Sequence, residues 1–294
     1  MDTRKYEALL TAADLGSMSA AADKLGYTQS GITRMISSLE DDIGFPLLHR
    51  SRHGVSLTDN GAMMAATMRD ILRLQKNMEE TAADISGVVK GTLTIGSYYS
   101  VASMWLPEIL SAYEALYPGI DIRLLEGGNL DMKKWLNEKS VDCAFCAQPS
   151  QDTMCDWMAL IDDPLVAWLP PGHPKAGAKR FNIKDLENHP FIRTLPDHDT
   201  EQDRLIHDEH LHLDVRYTTR DSFSTYNMVA EGLGISFNQS LIARKWHPDV
   251  AIVPLSPKRY VTMGLAVPAL PEASPATRRL VDITRKVMTD MNQA

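Results

Sequence analysis

Gln29, Ser30, Thr33 and Arg34 fall within six residues, at a spacing that gathers them on one side of a helical turn. Glutamine can bond adenine through two edge atoms, arginine can do the same with guanine, and serine or threonine serves base or phosphate. Thr28 just before them is a good N-cap, and a helix start adds donors for a backbone phosphate. The set reads as chemistry for the major groove of duplex DNA; the plainer alternative is a solvated polar face.

Two other constellations invite chemistry. Cys143-x-x-Cys146 suggests a redox pair. Both, however, lie in an apolar run that reads as a strand, where residues three apart point to opposite faces, so buried core cysteines are the better reading. His207, His210 and His212 cluster near Asp208 and Glu209, yet a solvated loop or helix edge accounts for them more simply than a metal site. No glycine-rich phosphate loop with a following Lys-Ser or Lys-Thr is present, and no zinc-protease spacing of His and Glu. The expectation is binding without catalysis, cofactor or metal.

The elements that must position the reading residues follow from periodicity. Tyr6, Leu9 and Leu10 mark a helix from about Thr3 to Asp14, closed by Gly16. A second helix starts after Ser17 or Ser19, runs through Ala20–Leu25 and stops at Gly26. In the third, Ile32, Ile36, Leu39 and Ile43 form the apolar stripe opposite the reading face. A short helix, a tight turn and a second helix make a helix-turn-helix. Residues 45–58 read as a hairpin around Gly54, with Arg50, Arg52 and His53 near its tip, where cations reach flanking phosphates or the minor groove.

Charge argues mildly against this assignment. The 294-residue chain has a formal net charge of −8, and residues 1–61 hold six Lys or Arg against eight Asp or Glu. Phosphate attraction supplies much of DNA affinity, so the grip must come from a few placed cations.

With 44% hydrophobic and 23% charged residues the composition is that of an ordinary folded protein, and the length suits two or three domains. No apolar run approaches a membrane span, no export signal opens the chain, and three cysteines make no disulfide framework, which together point to the cytoplasm. Residues 59–87 contain no proline and repeat apolar residues at Met64, Met68, Ile71, Leu74, Met78, Ala82 and Ile85. That describes a rod of roughly 45 Å whose stripe needs a cover, either a second copy of itself or a large domain of the same chain. After a hinge at 88–91, strands at 92–97, 121–125 and 141–146 alternate with helices at about 101–116 and 130–138. This predicts an α/β region with a mostly parallel sheet, ligands binding beyond the strand ends at Ser97–Ser100, Gly128-Asn129 and Ala147-Gln148.

The run Ser19-Ala20-Ala21-Ala22 with Leu25, Thr28-Gln29-Ser30, Thr33-Arg34, Leu39-Glu40, Ile43-Gly44, Pro46-Leu47-Leu48, Arg50, Leu57-Thr58 and Gly61 resembles the DNA-binding domain of LysR-type transcriptional regulators. Met18 departs from the family's usual Phe and Gly31 from its usual Ala or Pro. Residues 91–294 are similar, more loosely, to the effector domain of the same family. The resemblance implies a winged helix-turn-helix over 1–58, a dimerising linker helix over 59–87 and a periplasmic-binding-protein-like effector domain over 92–294. That domain would comprise subdomain I at about 92–162 and 266–294, and subdomain II at about 163–265. It implies an effector cleft lined by Tyr99, Ser100, Asn129, Gln148, Arg193, Thr194, Thr219, Phe223 and Asn238. Arg193 is the natural partner for a carboxylate, unless it is a solvated surface arginine. It also implies an inverted-repeat operator, a small-molecule effector such as a carboxylate or amino acid, homodimers or homotetramers, and contact with RNA polymerase. The competing reading is an α/β binding protein or enzyme whose N-terminal helices serve mainly in oligomerisation.

Overall fold

The computed structural model describes residues 2–52, 54–87, 89–196, 198–244, 246 and 249–293. They form two compact units, residues 1–90 with 138–140, and residues 91–137 with 141–294.

The first unit opens with α1 (Thr3–Leu15), α2 (Met18–Leu25) and α3 (Gln29–Ile43). Ser17, not Ser19, caps α2, and Thr28 caps α3 by accepting the Gly31 N–H at 3.1 Å. Leu9, Ile32, Ile36 and Leu39 are fully buried between the helices, and small Ala21 and Ala22 allow the close crossing. β1 (Leu48–Ser51) and β2 (Gly54–Leu57) pair as an antiparallel wing. The 27-residue α4 (Asp59–Ile85) is capped by Thr58. Gly61 in its first turn packs so tightly that a Cβ would lie 2.1 Å from the Leu47 carbonyl oxygen. Met68 closes the core, after which Leu74, Met78 and Ile85 stand 50, 67 and 83% exposed.

The second unit contains β3 (Gly91–Ser97), α5 (Tyr99–Met104), α6 (Leu106–Leu116), β4 (Ile120–Glu126), α7 (Asn129–Asn137) and β5 (Cys143–Ala147). The long β6 (Asp156–Leu169) follows, then β7 (Phe181–Asn182), β8 (Pro190–Thr194), α8 (Glu201–Asp208), β9 (Asp214–Thr219), α9 (Ser222–Ala230) and β10 (Ser236–Gln239). The chain ends with β11 (Ala251–Ser256), β12 (Tyr260–Val267) and α10 (Pro275–Gln293). One sheet runs β4-β3-β5-β12-β6-β11-β7 with β10 also on β6, and β8 pairs β9 separately.

Two features depart from expectation, the helix at 101–116 and the sheet. The single helix at 101–116 is two, because Pro107 lacks the N–H that would continue the ladder and Trp105 becomes the cap of α6. The sheet is mixed: β4, β3 and β5 are parallel, whereas β12, β6, β10 and β11 join antiparallel. Within β6, Asp156–Pro164 pair with β12, Leu165–Trp168 with β10 and Val166–Leu169 with β11, so its partners change after Pro164. β12 pairs with β6 from Tyr260 to Val267 and with β5 from Met263 to Ala266.

Candidate DNA interface and effector cavity

Gln29, Ser30 and Arg34 are exposed on α3 and Thr33 is half-buried. Thr33 Oγ1 donates back to the Gln29 carbonyl at 2.9 Å, while Ser30 Oγ lies 3.1 Å from the capping Thr28 Oγ1. Those three hydroxyls are therefore committed to shaping the helix start, and Gln29 and Arg34 are the side chains with no partner among the described residues. Arg52 is likewise exposed and uncommitted, whereas Arg50 is not: it donates to Ser37 Oγ at 3.3 Å and pairs with Glu40 at 3.1 Å. His53 lies outside the described residues.

Glu40 does more than pair. Its Oε1 accepts the N–H groups of Leu47 at 2.8 Å and Leu48 at 3.1 Å, locking the wing to α3. The sequence had shown Glu40 only as a motif position.

The acidic surplus of the head is partly spent internally. Asp2 pairs Arg4, Asp14 pairs Arg69, Glu40 pairs Arg50 and Asp42 pairs Lys5. Lys5 beside Asp42 holds that carboxyl below its usual range.

In the second unit a cavity of about 470 Å³ opens at the carboxyl ends of β3, β4, β8, β9 and β10. Of the nine residues assigned from the family resemblance, Tyr99, Ser100, Asn129, Thr194 and Asn238 line it. Four do not. Gln148 lines a separate pocket of about 200 Å³. Arg193 turns to Asp203, donating at 2.6 Å, so the expected carboxylate partner already has one from its own chain. Thr219 Oγ1 shares a 2.6 Å hydrogen bond with Thr225, and Phe223 packs its ring 5.4 Å from Trp246.

The walls add Glu126, Glu201, Gln202 and Arg220, which sequence reading missed. Glu201 and Gln202 begin α8, a helix hidden in a polar stretch. Its signal was the reciprocal cap, in which Thr200 accepts the Asp203 N–H at 3.1 Å and Asp203 accepts that of Thr200 at 2.9 Å. Gln202 ties the wall together, accepting from Thr194 N–H at 2.9 Å and donating to the Phe237 carbonyl at 2.6 Å. Burial pushes the Glu201 carboxyl up, against the opposing pull of Arg204 and Asn129.

Polar commitments decide what the cavity can hold. The starts of α7, α8 and α9 are filled by Asp131, Asp203 and Asp221, which accept their backbone N–H groups. Tyr98, at the start of α5, supplies no cap. Two residues on, Ser100 is only 5% exposed, and its hydroxyl, with no partner among the described residues, opens onto the cavity. Arg220 and Glu126 are exposed on the wall and also uncommitted.

Catalytic chemistry finds no support in the cysteines. Cys143 and Cys146 are buried, and burial pushes the Cys146 thiol far up, away from the reactive thiolate. Among the described residues no group of three or more His, Cys, Asp or Glu is placed to hold a metal ion.

Residues 3–62 match the family described as bacterial regulatory helix-turn-helix protein, lysR family, and residues 86–289 match the LysR substrate binding domain. The chain belongs to the LysR family of transcriptional regulators: a DNA-binding regulator with an effector domain, not an enzyme. It is similar to an uncharacterized HTH-type transcriptional regulator, YvbU of Bacillus subtilis (strain 168), at 25% identity over 98% of this chain and 99% of that protein. CfxR of Cupriavidus necator is 27% identical over 79% of this chain and 74% of that protein. Among solved structures, a full-length OxyR variant from Pseudomonas aeruginosa superposes with a TM-score of 0.74 at 20% identity, covering 98% of this chain and 94% of that one. Full-length CbnR complexed with its target DNA gives 0.63 at 20% identity, covering 98% and 100%. No helix among the described residues is long and apolar enough to cross a membrane.

Proposed function

We propose that this regulator reads its operator through Gln29 and Arg34, anchors beside it through Arg52, and responds to a small carboxylate or amino acid. Thr28, Ser30 and Thr33 shape the helix that presents the readers. Two heads would meet an inverted repeat when Ile71, Leu74, Met78 and Ile85 of α4 cover their counterparts in a second copy, since an apolar stripe this exposed lacks a cover within its own unit.

The effector class rests on one observation: the hydroxyl of Ser100, which has no partner among the described residues, on the wall of the 470 Å³ cavity. A hydroxyl on a cavity wall with no protein partner is free to donate to a ligand oxygen once the ligand displaces water. Arg220 is the uncommitted cation on the same wall, and Glu126 gives an ammonium group somewhere to go. A carboxylate would thus be held by Ser100 and Arg220, and an amino acid would engage Glu126 as well.

A thermal-shift screen of carboxylates and amino acids on the full chain tests this. Stabilisation by a member of the panel, weakened in both Ser100→Ala and Arg220→Ala, supports the reading. Ligands that stabilise all three proteins equally would place the site elsewhere.

A further inference from the structure

Tyr98 and Asn129 line both the 470 Å³ cavity and the 200 Å³ pocket that holds Gln148. Each pocket otherwise has its own walls. Glu201 belongs to the larger and Arg204 to the smaller, yet the two side chains meet at 3.4 Å. Asn129 Nδ2 donates to the Asp199 carbonyl, and Arg204 grips the Asp199 carboxylate at 2.7 and 3.0 Å. Tyr98 is pinned by its backbone N–H, which donates to Phe145 at 3.2 Å, and its ring packs on the cluster of Met132, Leu136 and Cys146. A ring and a hydrogen-bonded bridge therefore stand between two cavities.

We propose that Tyr98 is a specificity-determining residue: with the Asn129–Asp199 bridge it divides one cleft into two lobes and limits the length of effector the larger lobe accepts. The proposal rests on the effector reading above. It accounts for Gln148, which the family resemblance places in the same cleft as Ser100 and which lies behind the ring. The charges of the smaller lobe are matched internally, Lys133 with Asp152 at 2.5 Å and Arg204 with Asp199. That lobe would therefore take an uncharged chain, passing the Gln148 amide toward the floor of Met132 and Leu136. A ligand anchored by its carboxylate at Ser100 stops at the ring; without the ring its tail could continue.

Two readouts on the full chain test the wall separately from the ligand. Cys146 lines the smaller lobe at 1% exposure, and iodoacetamide labelling located by mass spectrometry reports whether that lobe has opened. Tyr98→Ala should speed labelling of Cys146 by about tenfold or more, with Cys143 unchanged, and Tyr98→Phe should match the wild type. The second readout is thermal shift with dicarboxylates from malonate to suberate and amino acids from glycine to 2-aminooctanoate. The longest stabilising member should lengthen by two or more carbons in Tyr98→Ala.

If Cys143 labels in parallel, the core has loosened, and Tyr98→Leu takes over the comparison. Faster Cys146 labelling with no stabilising ligand in either protein would keep the wall and discard the carboxylate reading. A stabilised wild type whose length limit and Cys146 rate both survive loss of the ring would overturn the proposal and leave that reading standing.

Discussion

The carboxylate of Asp163 on β6 accepts the backbone N–H of Leu241 with oxygens at 3.0 and 3.1 Å. The side chain is 1% exposed, and burial raises its pKa from the ordinary 3.8 to about 6, against the weaker pulls of that N–H and of Arg244. The folded protein thus holds this proton more tightly than the unfolded chain. The corresponding stabilisation is complete below pH 4 and lost as pH rises through about 6. A shift of this size is worth about 3 kcal/mol.

Asp163→Asn keeps an acceptor for Leu241 and never ionises. Urea unfolding across pH should find it more stable than the wild type at pH 7.5, by up to about 3 kcal/mol, with the difference fading toward pH 4. A gap independent of pH would show that ionisation of Asp163 is not its source.

Glu40 locks the wing more firmly than its exposed partner Arg50. Glu40→Ala strands the N–H groups of Leu47 and Leu48 and should cost about 1–3 kcal/mol in chemical unfolding. Arg50→Ala removes an exposed ion pair and should cost less than about 1 kcal/mol. Equal losses would mean that the ion pair, and not the backbone acceptor, holds the wing.

Arg34 and Arg52 are both uncommitted but sit on different elements. Arg34→Ala should flatten discrimination between operator and mutated operator, by about 1–3 kcal/mol at one base position. Arg52→Ala should weaken all duplexes alike and lower the slope of affinity against salt by about one. Fluorescence anisotropy at several salt concentrations separates the two, and matching behaviour would refute the division of labour.

Gly61→Ala places a Cβ against the Leu47 carbonyl oxygen, a contact no rotamer can relieve. Its cost should be about 1–3 kcal/mol or more, measured by the unfolding midpoint. Ala66→Ser, at an exposed position of the same helix, should change stability little. Tolerance of Gly61→Ala would show that the start of α4 can shift away from β1.

The head was legible because short-range rules decide it: Gly16 and Gly26 end helices, Thr28 caps one, and the Ile and Leu stripe of α3 leaves a single polar face. The cavity was legible only in part. Ser100, Asn129 and neighbours follow strands whose apolar runs stand out, whereas α8 carries Glu201 and Gln202 on a segment of low hydrophobicity. Arg193 shows the other limit. Its side chain chose Asp203, ten residues on, and nothing in the local sequence ranks that partner above a ligand. Tyr98 was visible as an aromatic beside the cleft, but that it divides two spaces depends on loops far apart in sequence.

The strand β6 has a mechanical consequence. Its first nine residues pair with β12 and its last five with β10 and β11, with no loop between the two stretches. Relative rotation of the strands paired with each stretch must therefore be absorbed as torsion along a single rod. Pro164 marks the torsion point, since it has no N–H of its own and the Leu165 N–H turns to the Arg259 carbonyl at 2.9 Å. Amide exchange slowed by ligand at Val166, a residue that does not line the cavity, would be the signature of that rod taking up load.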